Sequence, residues 1–178
     1  MKNSKIGLIV EGISDKQFFE RYFKDKYNFK RNMIVKPSAT AGNCKIMEER
    51  AIKNLIDVLR QKECKEIYIL IDLDSKCKKD IYDCIVELRD DYISKIKLSK
   101  ETDITVIVVS SEIEAWMLSA YKKSDKKTKE DLKKEFGIKS NSNIEDVLLQ
   151  KFIKSQEDIK SQNNQSLAYF LNSLDCRK

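Results

Sequence analysis

Five carboxylates in this chain lie at or just beyond the ends of apolar runs: Glu11, Asp72, Asp74, Glu112 and Glu114. The densest case is Ile67-Tyr68-Ile69-Leu70-Ile71-Asp72-Leu73-Asp74-Ser75, where five apolar residues without alternation deliver two acids. In extended backbone Asp72 and Asp74 point to the same side. Two such carboxylates repel unless a positive charge sits between them, and a hard divalent cation such as Mg²⁺ or Mn²⁺ takes oxygen ligands of this kind. Alternatively, Asp72 caps a following helix and Asp74 is a solvated turn residue. A set of four or five such acids is the type that uses one or two metal ions in phosphoryl transfer. The chain has no histidine, so a histidine-based triad and an imidazole-ligated zinc site are both excluded. Any acid–base work falls to carboxylates, lysines, hydroxyls or water.

The elements that would position these acids alternate between strand and helix. Lys5–Val10 (KIGLIV) reads as a first strand, running into Glu11-Gly12-Ile13-Ser14-Asp15. Ser14 is a reasonable N-cap with Gln17 three residues on, opening a helix over 15–26 whose inner face is Phe18, Phe19, Tyr22 and Phe23. Met33–Lys36 is a short strand, followed after Pro37 by the small-residue loop Ser38–Asn43. A helix over 44–62 carries Ile46, Ile52, Leu55, Ile56 and Leu59 at helical spacing. The run 67–72 is a strand buried on both faces, as parallel strands are. A helix over 79–95 follows, then the strand Ile104–Val109, then Ser110-Ser111-Glu112-Ile113-Glu114-Ala115-Trp116-Met117-Leu118. This alternation predicts an α/β fold: a doubly wound, mainly parallel sheet, with ligands expected beyond the carboxyl ends of the strands.

Beyond Tyr121 the composition shifts to the charge run 122–129 and then to short helices over 129–136, 144–154 and 165–174, with Gly137 as a C-cap. The predicted organisation is an α/β domain over 1–121 and a helical extension over 122–178. Trp116, at helical spacing with Ile113 and Met117, is expected in the core rather than stacking on a base. Some acids have a simpler role open to them: Glu11 as a helix N-terminal acid favoured by the macrodipole, and one of Glu112 and Glu114 likewise. Lys16 is placed either to contact a phosphate or to stand in solvent.

Composition sets the bounds. The 178 residues are enough for one well-cored domain and a small appendage. The net charge of +6, from 35 Lys and Arg against 29 Asp and Glu, permits a polyanionic partner without requiring one. The apolar run within residues 1–13 is too short for a signal peptide, and none approaches the roughly 20 residues of a membrane helix. The five cysteines include no C-x-x-C pair and are expected to be reduced thiols of a cytoplasmic protein.

The order strand–Glu11-Gly12…Asp15, then strand–Asp72-Leu73-Asp74, resembles the TOPRIM domain of topoisomerases, primases and certain nucleases. The segment Glu112–Leu118 is similar to the E-I-E-A-W-L-L signature of small TOPRIM-like bacterial proteins, and Gln165–Leu171 is similar to their helical ending. Those proteins resemble the nucleases of phage-defence (overcoming-lysogenization-defect type) systems and are often encoded beside an ATPase. The resemblance implies a Mg²⁺- or Mn²⁺-dependent nuclease acting on DNA or RNA. Glu11 would be general base or ligand, Asp72 and Asp74 metal ligands, and Glu112 or Glu114 would complete the shell. Gly12, Asp15 and Lys16 would face phosphate. The other reading is a non-catalytic subunit of similar fold that docks on an ATPase. Ser75-Lys76-Cys77 departs from the pattern, standing where many TOPRIM domains carry a third acid or a glycine.

Overall fold

The computed structural model describes residues 5–23, 33–37, 45–73, 85–110, 112–121, 129–139 and 144–175. Four strands form one sheet in the order β2-β1-β3-β4: β1 is Lys5–Val10, β2 Met33–Pro37, β3 Cys64–Asp72 and β4 Ile104–Val109. β1 pairs in parallel with β2, with Leu8 opposite Val35, and with β3, with Leu8 opposite Tyr68. β4 lies beside β3, and the bonds from Ile67 N–H to the Asp103 carbonyl (2.9 Å) and from Leu73 N–H to the Val109 carbonyl (3.0 Å) advance along both strands together. That is the parallel sense. Leu8–Val10, Ile67–Ile71 and Val106–Val109 are consecutively buried, which requires cover on both faces and explains why the strands show no alternation. The fold is α/β, as expected from the sequence.

The chain divides into two compact units, Met1–Ile71 with Ser75–Val108, and Asp72–Asp74 with Val109–Lys178. In the first, α1 (Ile13–Phe18) continues into a π-helical turn, Phe19–Phe23, rather than one α-helix as expected. Phe18, Phe19, Tyr22 and Phe23 are all buried, and the Phe19 and Phe23 rings lie 5.2 Å apart. The helix expected over 44–62 is broken at Glu48, into a 3₁₀ turn, Lys45–Met47, and α2, Glu49–Gln61. Its Ile52, Ile56 and Leu59 are buried. Gly7 makes room for this helix, because a Cβ there would lie 2.9 Å from Leu59 Cδ1. β3 begins at Cys64, earlier than the apolar run suggested, after Glu63 turns the chain with φ of 64°. α3, Ile85–Lys95, buries Leu88 and Tyr92.

The second unit is helical: α4 (Ile113–Leu118), α5 (Lys129–Glu135), α6 (Ile144–Ser155) and α7 (Gln165–Asp175). Every residue of α4 is buried, Trp116 fully, so the tryptophan belongs to the core as expected. Trp116 stacks on Phe170 of α7 at 5.3 Å. Gly137 (φ +62°) ends α5 with two bonds, Gly137 N–H to the Lys134 carbonyl and Ile138 N–H to the Lys133 carbonyl, the Schellman pattern that glycine suits. Cys64 is a free, buried thiol. The other four cysteines and the loop Ser38–Asn43 lie outside the described residues, in which no helix is long and apolar enough to cross a membrane.

Candidate functional site

At the end of β1 the chain turns through Glu11 and Gly12 into α1. The N-cap is Gly12, not Ser14 as the sequence suggested, with extended φ of −123° and ψ of 170°. The reason is a bond back to the cap residue: the Asp15 carboxylate accepts from Gly12 N–H at 2.9 Å. An acid in the first turn is also favoured by the helix dipole. Asp15 is thereby committed to the helix start. A Cβ on residue 12 would meet Asp15 Oδ2 at 3.3 Å, so a small residue suits the turn. Lys16 lies 3.7 Å from Glu20 one helical turn on, and both side chains are partly exposed; such a pair contributes little. Gln17 Oε1 is buried without a hydrogen-bond partner among the described residues.

Glu11 itself is half-buried. Its charge is felt by Tyr92, whose hydroxyl is pushed well above the usual phenol range, first by burial and then by the Glu11 carboxylate. The Tyr92 hydroxyl donates to the Ile46 carbonyl at 2.8 Å. The tyrosine thus ties α3 to the 3₁₀ turn and stays a neutral neighbour of the acid.

Asp72 closes β3 and is half-buried, with the following Leu73 N–H held by Val109. Asp74 and Ser75-Lys76-Cys77 lie outside the described residues. Among the residues described, no group of three or more acidic or cysteine side chains is placed to hold a metal ion.

Glu112 and Glu114 are brought together, and the cation between them is a lysine. Lys129 Nζ, on the first residue of α5, lies 3.0 Å from Glu112 Oε2, 3.8 Å from Glu114 Oε1 and 2.7 Å from Glu145 Oε1 of α6. The Glu114 side chain is only 6% exposed, and a charge so placed requires a partner. Burial, the largest influence on the Lys129 ammonium, opposes its charge, but Glu114, Glu145 and Glu112 together outweigh it and hold the group protonated well above the usual lysine range. In the sequence Lys129 ends the charge run 122–129, with nothing local to single it out. Only Glu112 and Glu114, two acids at the start of α4, hinted at a counter-charge.

The backbone leading to these acids is fixed from α7. Ser166 Oγ accepts from Ser110 N–H (3.0 Å) and from Trp116 Nε1–H (2.9 Å), and donates to Asn164 Oδ1 (2.9 Å). Asn164 Oδ1 also accepts from Leu167 N–H at 3.0 Å, in the manner of an N-cap. Ser119 Oγ accepts from Lys160 N–H at 3.0 Å, and the Ser119 carbonyl from Asn163 Nδ2 at 2.7 Å. The segments Glu112–Leu118 and Gln165–Leu171, singled out separately in the sequence, are therefore one hydrogen-bonded assembly. Comparison with protein-family models, curated proteins and solved structures returns no match to this chain.

Proposed function

We propose that this chain is a TOPRIM-like, doubly wound α/β protein and a Mg²⁺- or Mn²⁺-dependent nuclease, cleaving phosphodiesters of DNA or RNA as a cytoplasmic effector of phage defence. One observation carries the reading: neighbouring parallel strands β1 and β3 each run directly into a carboxylate, Glu11 after one and Asp72 at the end of the other. Carboxyl ends of parallel strands are where such folds bind ligands, and carboxylates there are the oxygen donors Mg²⁺ takes. Glu11, Asp72 and Asp74 are the residues that would hold the metal, with Glu11 alternatively acting as base. A bound Mg²⁺ would polarise the phosphate and lower the pKa of a water nucleophile. Gly12 and Lys16 remain candidates for phosphate contact, whereas Asp15 already serves the α1 cap.

A second reading, a non-catalytic subunit of similar fold that partners an ATPase, draws on the Lys129 cluster. Two of the five candidate acids, Glu112 and Glu114, already have a cation. Nuclease assays with Mg²⁺ or Mn²⁺ on single- and double-stranded DNA and on RNA separate the two. The nuclease reading expects Glu11→Gln and Asp72→Asn each to lose roughly 100-fold or more in rate. Equal cleavage by wild type and both variants would remove the assignment. No cleavage, together with no calorimetric Mg²⁺ or Mn²⁺ binding at millimolar concentration, would favour the subunit.

A further inference from the structure

We infer that Lys129 is an ionic latch that docks α5 onto α4 and α6, and that α5 opens as a local unit when this ammonium is removed or screened. α5 has seven residues, about two turns, well below the length at which a helix persists alone in water. Leu132 is its only fully buried residue. The ion pairs Lys133–Glu130 and Lys134–Asp131 lie within α5, so they do not dock it. Among the described residues, docking therefore rests on Leu132 and on the first residue, where Lys129 reaches two acids of the α4 start and one at the α6 start. Past the far end, Lys151 Nζ donates to the Phe136 carbonyl at 3.2 Å, and Tyr121 and Phe136 meet edge to face at 5.8 Å. These contacts involve Phe136, beyond the end of α5, and the helix itself is anchored through Lys129 and Leu132. A region with few buried apolar contacts and one electrostatic anchor opens at low free energy.

Hydrogen exchange of the full chain, followed by mass spectrometry, tests this. The informative amides are those of Lys133 to Ile138, because the first turn of a helix has no internal acceptors. In the wild type these amides are expected to be protected, Lys129→Met to accelerate their exchange ten-fold or more, and Lys129→Arg to stay within about three-fold. Amides of β1 and β3 should keep their wild-type rates in both variants. Wild type moved from 0.05 to 1 M NaCl should also show faster exchange confined to Lys133–Ile138, since screening weakens partly exposed pairs. This salt arm keeps the test decisive should Lys129→Met unfold the chain. Unprotected amides in the wild type, unchanged exchange in Lys129→Met, or a salt response absent or spread evenly over the chain would each overturn the latch.

Discussion

Replacing Ser166 with alanine is expected to destabilise the protein by about 2–4 kcal/mol, although it deletes a single oxygen. That oxygen accepts two hydrogen bonds, from Ser110 N–H and Trp116 Nε1–H, and donates one to Asn164. Ser110, Trp116 and Asn164 are all at least 95% buried, with exposures of 5%, 0% and 1%. Removing a partner from a buried donor costs about 1–3 kcal/mol, and two donors are stranded at once. Asn164 Oδ1 keeps Leu167 N–H, so its loss adds little, and partial relaxation keeps the total below a simple sum. Against a typical domain stability of roughly 5–15 kcal/mol, the loss is large. Urea unfolding, followed by far-ultraviolet dichroism and by emission of Trp116, the only tryptophan, measures it. Trp116→Phe keeps a ring against Phe170 but strands no indole donor, so Ser166→Ala made in that background should cost about 1 kcal/mol less. A cost under about 0.5 kcal/mol, or the same cost in both backgrounds, would refute the network as drawn.

Gly7→Ala should cost about 1–3 kcal/mol by overpacking, since its Cβ would meet Leu59 Cδ1 at 2.9 Å; adding Leu59→Ala should make the two costs less than additive in the same urea assay. Gly137→Ala meets no atom within 4 Å and should cost only the left-handed backbone strain, about 1 kcal/mol, seen as a lower melting temperature. Tyr92→Phe removes the donor to the Ile46 carbonyl and should cost about 1–2 kcal/mol, again read by denaturation. The Arg60 guanidinium beside Asp103 holds that carboxyl below its usual range, against a smaller opposing effect of burial. A depressed folded pKa gives stability that is present above the unfolded value and lost as pH falls through the folded one. Wild type should therefore lose its advantage over Asp103→Asn below about pH 4, which denaturation midpoints from pH 2 to 7 would show; parallel curves would contradict the pair.

The sequence announced what is local. Runs such as Ile67–Ile71 and Val106–Val109 lack alternation because they are buried on both faces, as strands of a parallel sheet are. The aromatic stripe Phe18–Phe23 and the burial of Trp116 were legible from helical spacing alone. Spacing could not find the partners. Ser166 lies 50 residues from Trp116 and 56 from Ser110, in the first turn of the helix expected over 165–174, where nothing local marks it. Ser14 looked the better cap than Gly12 because its hydroxyl is visible in the sequence, whereas the Gly12 cap depends on its own backbone N–H and the Asp15 carboxylate. Lys129 is one of 35 Lys and Arg residues, and only tertiary packing distinguishes it from its neighbours in the run.

That last case bears on how strand-end acids should be read. A pair of carboxylates after a buried strand demands positive charge, but the demand does not say whether a metal or a side chain answers it. At Glu112 and Glu114 a side chain does, and the asymmetry of buried ion pairs makes this measurable. Lys129→Met leaves Glu114 charged and almost fully buried, and breaking a buried pair in this way costs about 3–5 kcal/mol. The Lys129 side chain is 32% exposed, so solvent moderates the penalty to about 1–3 kcal/mol. Glu114→Gln should cost less, because the ammonium keeps Glu112 at 3.0 Å and Glu145 at 2.7 Å. Combining the two removes both the cation and the buried charge, so the double variant should recover most of the stability lost by Lys129→Met alone. Additive costs in this cycle, read by urea denaturation, would mean that Glu114 does not depend on Lys129, and the demand for a further cation at that acid would return.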